Sequence, residues 1–471
     1  MTLPIDAVLP QVIAALRTQG RVVLQAPPGA GKTTRVPLAM LQAGLTSGKI
    51  LMLEPRRLAA RAAADRMAAT LAEDAGQTVG FRVRGASAIS DTTRIEVVTE
   101  GILTRMLQSD PELPGVGAVI FDEFHERSLN ADLGLALCLE VAEALRDDLM
   151  LVAMSATLDA APVARLMDAP IVTSQGRSHA VTPHWLDKPI GKTRFENAVA
   201  DLVEQALDAA DGSALVFLPG EGEIRKVATL LDARLPPECK IAPLFGAMDF
   251  KAQRAAIAPA PTGRKVVLAT AIAETSLTIE GITIVIDAGR ARRARFDPAS
   301  GMSRLVTEKV TRAEATQRAG RAGRMAPGVA YKLWTKGEEG ALADYPPAEI
   351  EAGDLTGFAL ELALWGGDAG QMRFVTPPHA GRLAEAHRVL TMLEAMNGAG
   401  RITDHGRALA RLPLHPRLAH MVARGGTRAP VLAALLAERD PLRGAGVDLA
   451  LRMQAIDGRD RQGGHCRKIT R

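Results

Sequence analysis

Ala26-Pro-Pro-Gly-Ala-Gly-Lys-Thr-Thr34 is the stretch on which the fold turns. It follows the apolar run Arg21-Val-Val-Leu-Gln25 and leads into a helix-compatible segment, the order of strand, phosphate-binding loop and helix in a P-loop. Gly29 and Gly31 allow backbone N–H groups to turn inward and approach phosphate oxygens closely. Pro28, Ala30 and Thr34 complete the expected cradle. Lys32 is expected to reach the β- and γ-phosphates, and the Thr33 hydroxyl to ligate Mg²⁺. The usual pattern has glycine six residues before the lysine, and that position here is Ala26. An ordinary glycine-rich turn is the competing reading. The Lys-Thr pair directly after the glycines, with a strand before them, favours phosphate binding.

Composition narrows the class. A chain of 471 residues corresponds to about three domains. Its 47% hydrophobic and 23% charged residues are those of a soluble globular protein. Aromatic residues make up 3%, so stacking on aromatic platforms is not the expected mode of contact with a nucleic acid. A formal charge of +4 permits a polyanionic partner without requiring one. Cys138, Cys239 and Cys466 lie far apart, with neither zinc-ligand nor disulfide spacing, which fits a reducing cytosol. The N-terminus lacks the pattern of a signal peptide, and no apolar run approaches the ~18–20 residues of a membrane span. A cytoplasmic protein without a membrane partner is expected.

Working outward, residues 7–17 carry apolar positions at helical spacing. Lys49–Glu54, stopped by Pro55, reads as a buried parallel strand, and an alanine-rich helix follows to about Leu71. Arg56 and Arg57 lie between them, at a strand end where open α/β sheets bind ligands, although a solvated helix start explains them equally. Arg94–Val98 is a further strand, leading into Thr99-Glu100-Gly101. Gly117–Phe121 runs into Asp122-Glu123-Phe124-His125-Glu126-Arg127. An apolar strand ending in two carboxylates is the metal and water half of a P-loop ATPase, with Asp122 on Mg²⁺ and Glu123 orienting or deprotonating the attacking water. Leu149–Ala153 is the next strand, and Ser155 and Thr157 beyond it could hydrogen-bond the Asp-Glu pair and report its state, or simply cap a helix. Strands alternating with helices predict a parallel sheet covered on both faces.

The second half repeats this alternation without a P-loop. Residues 174–192, with Pro183 and Pro189, read as a connector. Ala214–Leu218, Ile241–Leu244, Lys265–Ala269 and Gly281–Ile286 are expected strands. Two β-compatible runs flanking Pro298-Ala-Ser-Gly301 predict a basic hairpin. Then comes Gln317-Arg-Ala-Gly-Arg-Ala-Gly-Arg324, with arginines at three-residue spacing and no core role expected for them. A row of guanidinium groups needs an anion, and the γ-phosphate held by the first domain is the natural one, which makes these arginine fingers.

Taken together, these blocks resemble the superfamily 2 helicases of the DEAH-box kind over most of residues 20–440, and within them the bacterial HrpB-type branch. Gly29–Thr33, Glu54-Pro-Arg-Arg57, Thr99-Glu-Gly101, Asp122-Glu-Phe-His125, Ser155-Ala-Thr157, Ala273–Thr278, Gln317–Arg324 and Pro413-Leu-His-Pro-Arg417 carry the resemblance. It implies an α/β protein: two tandem RecA-like P-loop domains with parallel sheets (1–172 and 173–336), a small winged-helix domain (337–380), a helical ratchet-like region (381–456) and a disordered tail (457–471). It implies ATP and Mg²⁺ in the cleft and single-stranded RNA, with DNA possible, across the top. No protein partner is indicated. By position, His125 would contact Gln317 and couple hydrolysis to closure. Arg321 and Arg324 would be the fingers. Arg56, Arg57, Thr99, Gly101 and Thr270 would lie along the nucleic acid, and the hairpin tip would part strands. Arg66 would flank the adenine. Its usual aromatic counterpart is replaced by Arg290, so weak base discrimination is expected. Ala271 stands where relatives often have Asn. Glu349–Trp365, Ala384–Met396, Leu418–Val422 and Pro430–Glu438 are helix candidates. The chain is expected to stop in or just after the ratchet region, as a fragment or truncated frame would. A DNA-directed translocase and an ATP-gated RNA-binding clamp are the competing functions.

Overall fold

The computed structural model describes residues 3–459 apart from 157–159, 176–178, 261, 275–278, 298–301, 439, 441 and 443–445. Two compact units divide between Ala352 and Gly353. The first contains two sheets built from Val-, Ile- and Leu-rich runs, because strands covered on both faces have no face to leave polar. Its first sheet comprises β1 (Arg21–Gln25), β2 (Lys49–Glu54), β3 (Val79–Val83), β4 (Ala86–Ala88), β5 (Ile95–Thr99), β6 (Val116–Phe121), β7 (Met150–Ser155) and β8 (Ile171–Thr173). The order is β4-β3-β5-β2-β6-β7-β1-β8. All pairs are parallel except β3 with β4. Every residue of β6 is buried, so the carboxylates that follow it are delivered from the middle of the core. The helices Leu9–Gln19, Lys32–Gln42 and Arg57–Thr70 supply apolar side chains to one face of the sheet. Sequence patterning does not mark β3, β4 and β8, which lie toward the sheet edges. Two of these have only three residues, too few to show a period.

The second sheet has β9 (Val181–Leu186), β10 (Ser213–Phe217), β11 (Cys239–Leu244), β12 (Arg264–Ala269), β13 (Ile282–Asp287) and β16 (Gly328–Thr335), in the order β11-β12-β10-β13-β16-β9. Here the structure corrects the expected connector: Val181–Leu186 is an edge strand, parallel to β16. Pro183 is compatible with it because an edge strand leaves one row of backbone groups without a ladder partner. The hairpin forms as expected, from β14 (Arg290–Asp297) and β15 (Met302–Lys309) paired antiparallel. Its tip lies outside the described residues. The hairpin's positive charge is partly matched internally: Arg293 and Arg295 pair with Glu308, Arg293 also with Glu314, and Arg292 with Glu223.

In the second unit, the expected helix 349–365 is broken. Helix Glu349–Ala352 ends the first unit, and Thr356–Trp365 opens the second. Asp354 stops the run: its Oδ1 accepts from the Thr356 N–H at 2.8 Å and from the Thr356 hydroxyl at 2.6 Å, the competition with helical bonding typical of Asp at a helix start. Its Oδ2 meets His415 Nε2 at 3.0 Å, tying the Pro413–Arg417 block to this break. Helices Ala380–Met392, Asp404–Ala410, Pro416–Arg424, Ala429–Ala437 and Leu449–Arg459 follow. The last runs three residues into the segment expected to be disordered from Asp457, and 460–471 lie outside the described residues. No described helix is long and apolar enough to cross a membrane.

Candidate nucleotide site

The loop after β1 adopts the geometry its glycines permit. Gly29 and Gly31 have φ of 84° and 96°, a region that strains any residue with a Cβ. Ala26 is not in that region, its N–H bonds the Ser155 carbonyl at 3.0 Å, and its methyl joins the core of the first sheet. Alanine therefore fits where the usual pattern has glycine. Helix Lys32–Gln42 begins directly beyond, so its first N–H groups and positive dipole end face the loop.

β6 delivers the acidic partners. Lys32 Nζ lies 3.1 Å from Glu123 Oε2, both side chains buried. The Thr33 hydroxyl donates to Asp122 Oδ2 at 2.5 Å, and the Glu123 N–H to Asp122 Oδ1 at 2.8 Å. Glu123 has a positive φ of 49°, an uncommon conformation for a non-glycine residue, of the kind that concentrates at functional sites. Burial opposes its charge, but Lys32 and His125 outweigh burial and bring the carboxyl down to about 2, so Glu123 is ionised at neutral pH. Burial also opposes the Lys32 charge, and Glu123 and Asp122 overcome it, raising the ammonium. Asp122 is raised, by burial first and then by Glu123, against the pull of Lys32.

His125 couples three segments. Its Nδ1 accepts from the Ala156 N–H at 3.3 Å, which puts the ring proton on Nε2. Nε2 lies 3.3 Å from the side-chain amide of Gln317, 192 positions away on the second domain, and the pair is satisfied when Gln317 turns its amide oxygen to the ring. Burial drives the His125 pKa down to about 4, so the ring is neutral. Arg56 makes the second link. It pairs with both oxygens of Glu126, at 3.1 and 3.2 Å, and donates to the Ala271 carbonyl of the second domain at 3.1 Å. The backbone carbonyl does this at position 271, so the alanine there is compatible with the contact.

The arginine row separates into two roles. Helix Arg312–Ala319 starts with a reciprocal cap between Thr311 and Glu314. Arg318, in its last turn, is 1% exposed and bonds Glu274 Oε1 at 2.6 Å and Asp287 Oδ1 at 2.8 Å. This corrects the expectation that no core role explains the row: Arg318 is a core ion-pair residue. Arg321 and Arg324 lie beyond the helix. Arg321 Nε donates to the Glu274 carbonyl at 2.9 Å, and Arg324 lines the same cavity as Gly29, Lys32 and Glu123. Burial first, then Arg324, depresses Arg321 well below the usual guanidinium range, and burial brings Arg324 down to about 10. Two guanidinium groups held this way gain from a shared anion.

That cavity has a volume of about 380 Å³. Pro28, Thr33, Thr34 and Arg66 line it too, whereas Arg290 is not among its lining residues. Arg290 lies over the Phe195 ring, 4.0 Å from its centroid. Thr99 precedes helix Glu100–Ser109, with Gly101 in its first turn. Thr270 closes β12, its N–H bonded to the Leu244 carbonyl at 3.2 Å, and Arg57 reaches the Arg84 carbonyl at 3.4 Å. Ser155 is buried at the end of β7, and Thr157 lies outside the described residues. Sequence reading assigns no role to Glu126, Glu274 or Glu54. The available signal for Glu54 is a carboxylate closing an otherwise apolar strand.

A P-loop cavity on one α/β domain, completed by Arg324 from a second, defines a tandem P-loop helicase core. The chain belongs to the DEAD/DEAH box helicase family: residues 8–166 match its DEAD/DEAH box helicase domain and 197–326 the helicase conserved C-terminal domain. It is 48% identical to the Escherichia coli ATP-dependent RNA helicase HrpB over 93% of this chain and 55% of that protein. It is 33% identical to the E. coli ATP-dependent RNA helicase HrpA over 92% of this chain and 34% of that protein. The crystal structure of E. coli DEAH/RHA helicase HrpB superposes with a TM-score of 0.90 at 46% identity, covering 98% of this chain and 61% of that one. The chain thus spans about half the length of HrpB and a third of HrpA.

Proposed function

We propose that the chain is an ATP-dependent RNA helicase or RNP remodeller that couples ATP hydrolysis to movement along single-stranded RNA. The observation that carries this reading is the cavity lined together by Lys32 and Glu123 of one domain and Arg324 of the other. The similarity to HrpB supports RNA as the polymer. We assign 1–172 and 173–336 to the two RecA-like domains, 337–380 to a winged-helix-like domain and 381–456 to a ratchet-like region, in a cytoplasmic setting.

Lys32 exchanges Glu123 for the β- and γ-phosphates when ATP enters, and the N–H groups of 29–34 cradle them. Glu123, then released from its ammonium, accepts a proton from the attacking water. Arg321 and Arg324 neutralise charge on the transferring phosphoryl group. Thr33 and Asp122 fit a hard divalent cation, because a hydroxyl and a carboxylate already converge there. Mg²⁺ bound at that corner would supply charge neutralisation for the phosphates. Gln317 reads the state of the site through His125, with Ser155 at the end of the neighbouring strand. Arg56, Arg57, Thr99, Gly101 and Thr270 would hold the sugar–phosphate backbone, which implies little sequence specificity. Arg66 would face the base. With Arg290 engaged on Phe195, nucleoside triphosphates are expected to compete on nearly equal terms.

The test is ATPase activity with no polymer, with single-stranded RNA and with single-stranded DNA of the same sequence. Stimulation by RNA well above that by DNA is expected. Equal stimulation would support a DNA-capable translocase, and none would remove the coupling.

A further inference from the structure

Glu54 ends β2, beside the strand that delivers Asp122: the Asp122 N–H bonds the Leu53 carbonyl at 3.1 Å. Its side chain is 0% exposed, and neither carboxyl oxygen has a hydrogen-bond partner. It nevertheless lines the phosphate cavity with Lys32, Thr33 and Glu123. A buried carboxyl with both oxygens unsatisfied is costly, and a native structure that retains one calls for a reason such as strain, a catalytic role or a bound ion or water. The charges point the same way. Glu54, Asp122 and Glu123 surround a single ammonium, Lys32. Burial beside those two carboxylates pushes the Glu54 carboxyl well above its ordinary range, and a cation placed among the three would relieve their mutual repulsion. Mg²⁺ dehydrates reluctantly and keeps several waters, whose hydrogens need acceptors.

Building on the nucleotide-site reading above, we infer that Glu54 is a positioning residue of the divalent-cation site, accepting hydrogen bonds from the cation's waters while Thr33 and Asp122 hold the cation itself. The alternative is a neutral, purely structural carboxylic acid. Glutamine is its isostere, so Glu54→Gln separates the two.

The experiment is Mn²⁺ binding to the full chain with the non-hydrolysable analogue AMP-PNP, followed by the EPR signal of unbound Mn²⁺. Glu54→Gln is expected to weaken Mn²⁺ about tenfold, as loss of outer-shell partners does. AMP-PNP binding in EDTA should be unchanged, since without the cation the amide and the buried carboxyl are alike in shape, and this also shows that the variant is folded. Glu54→Asp, which keeps the charge but withdraws it, should fall between. Mn²⁺ affinity of Glu54→Gln within twofold of wild type overturns the assignment. Failure of the parent reading looks different: Asp122→Asn would leave Mn²⁺ binding intact, or the wild type would bind no Mn²⁺ with AMP-PNP, and either result removes the Glu54 role with the site.

Discussion

Glu123 and His125 show how a two-residue spacing divides chemistry from coupling. The Glu123 carboxylate is held ionised against burial by Lys32, so Glu123→Gln removes the base while keeping the size of the side chain. Turnover should fall at least about 100-fold, the lower end for loss of a general base, with nucleotide binding retained in an equilibrium titration. His125 predicts acid sensitivity. Its folded pKa of about 4 lies below the ordinary 6.5, so the unfolded chain takes up the proton first. The stability it contributes is complete above about pH 6.5 and is lost as pH falls through 4, of the order of 3 kcal/mol at full titration. Urea midpoints measured from pH 7 to 4 should decline less steeply for His125→Gln than for wild type; parallel slopes would contradict a buried neutral ring. At this scale the motif residues were legible, because short range fixes them: glycine conformations, a lysine after a turn, carboxylates after an apolar strand. Of their partners, Gln317 for His125 was anticipated through the family resemblance, and the others were not. Glu126 and the Ala271 carbonyl meet Arg56 only after two sheets have closed on each other.

At the scale of elements, apolar runs announced the central strands and hid the marginal ones. β1, β2, β6 and β7 are continuous buried stretches, which is what a parallel sheet requires. β9 was hidden by its proline and by its exposed edge, since solvent on one side removes the apolar run that marks a strand. The break at Gly353-Asp354 was hidden because a hydrogen bond to a distant histidine fixes it, not a period. The helix Arg312–Ala319 and its extension show one motif serving two purposes, and this separates by experiment. Removing one partner of the buried Arg318–Glu274–Asp287 cluster leaves uncompensated charge, so Arg318→Ala should cost about 3–5 kcal/mol in chemical denaturation. Arg324→Ala should leave the denaturation midpoint nearly unchanged while lowering hydrolysis about 10³-fold or more, as loss of an arginine finger does. Similar stability losses for both would mean that Arg324, too, is a packing residue.

Across the first unit as a whole, the two sheets are joined near the site through His125 to Gln317 and Arg56 to Ala271. Arg56 occupies the position expected on the nucleic-acid backbone, yet it is paired with Glu126, the carboxylate directly after the tract Glu123-Phe-His125. A guanidinium cannot serve Glu126 and an RNA phosphate equally, because both claim the same planar donors. If Arg56 takes an RNA phosphate as proposed, that phosphate competes with Glu126 and its binding is felt in the loop that carries Glu123. Glu126→Ala removes the competitor and leaves the Ala271 contact in place. RNA affinity should rise several-fold in fluorescence anisotropy at fixed salt, because the carboxylate no longer repels the strand or holds Arg56. Domain closure without RNA should decrease, read by energy transfer between one dye on each α/β domain, because Glu126 no longer fixes the arginine that reaches across. Arg56→Ala should lose both RNA affinity and closure. Unchanged RNA affinity in Glu126→Ala would mean that the ion pair is structural and that the strand is sensed elsewhere.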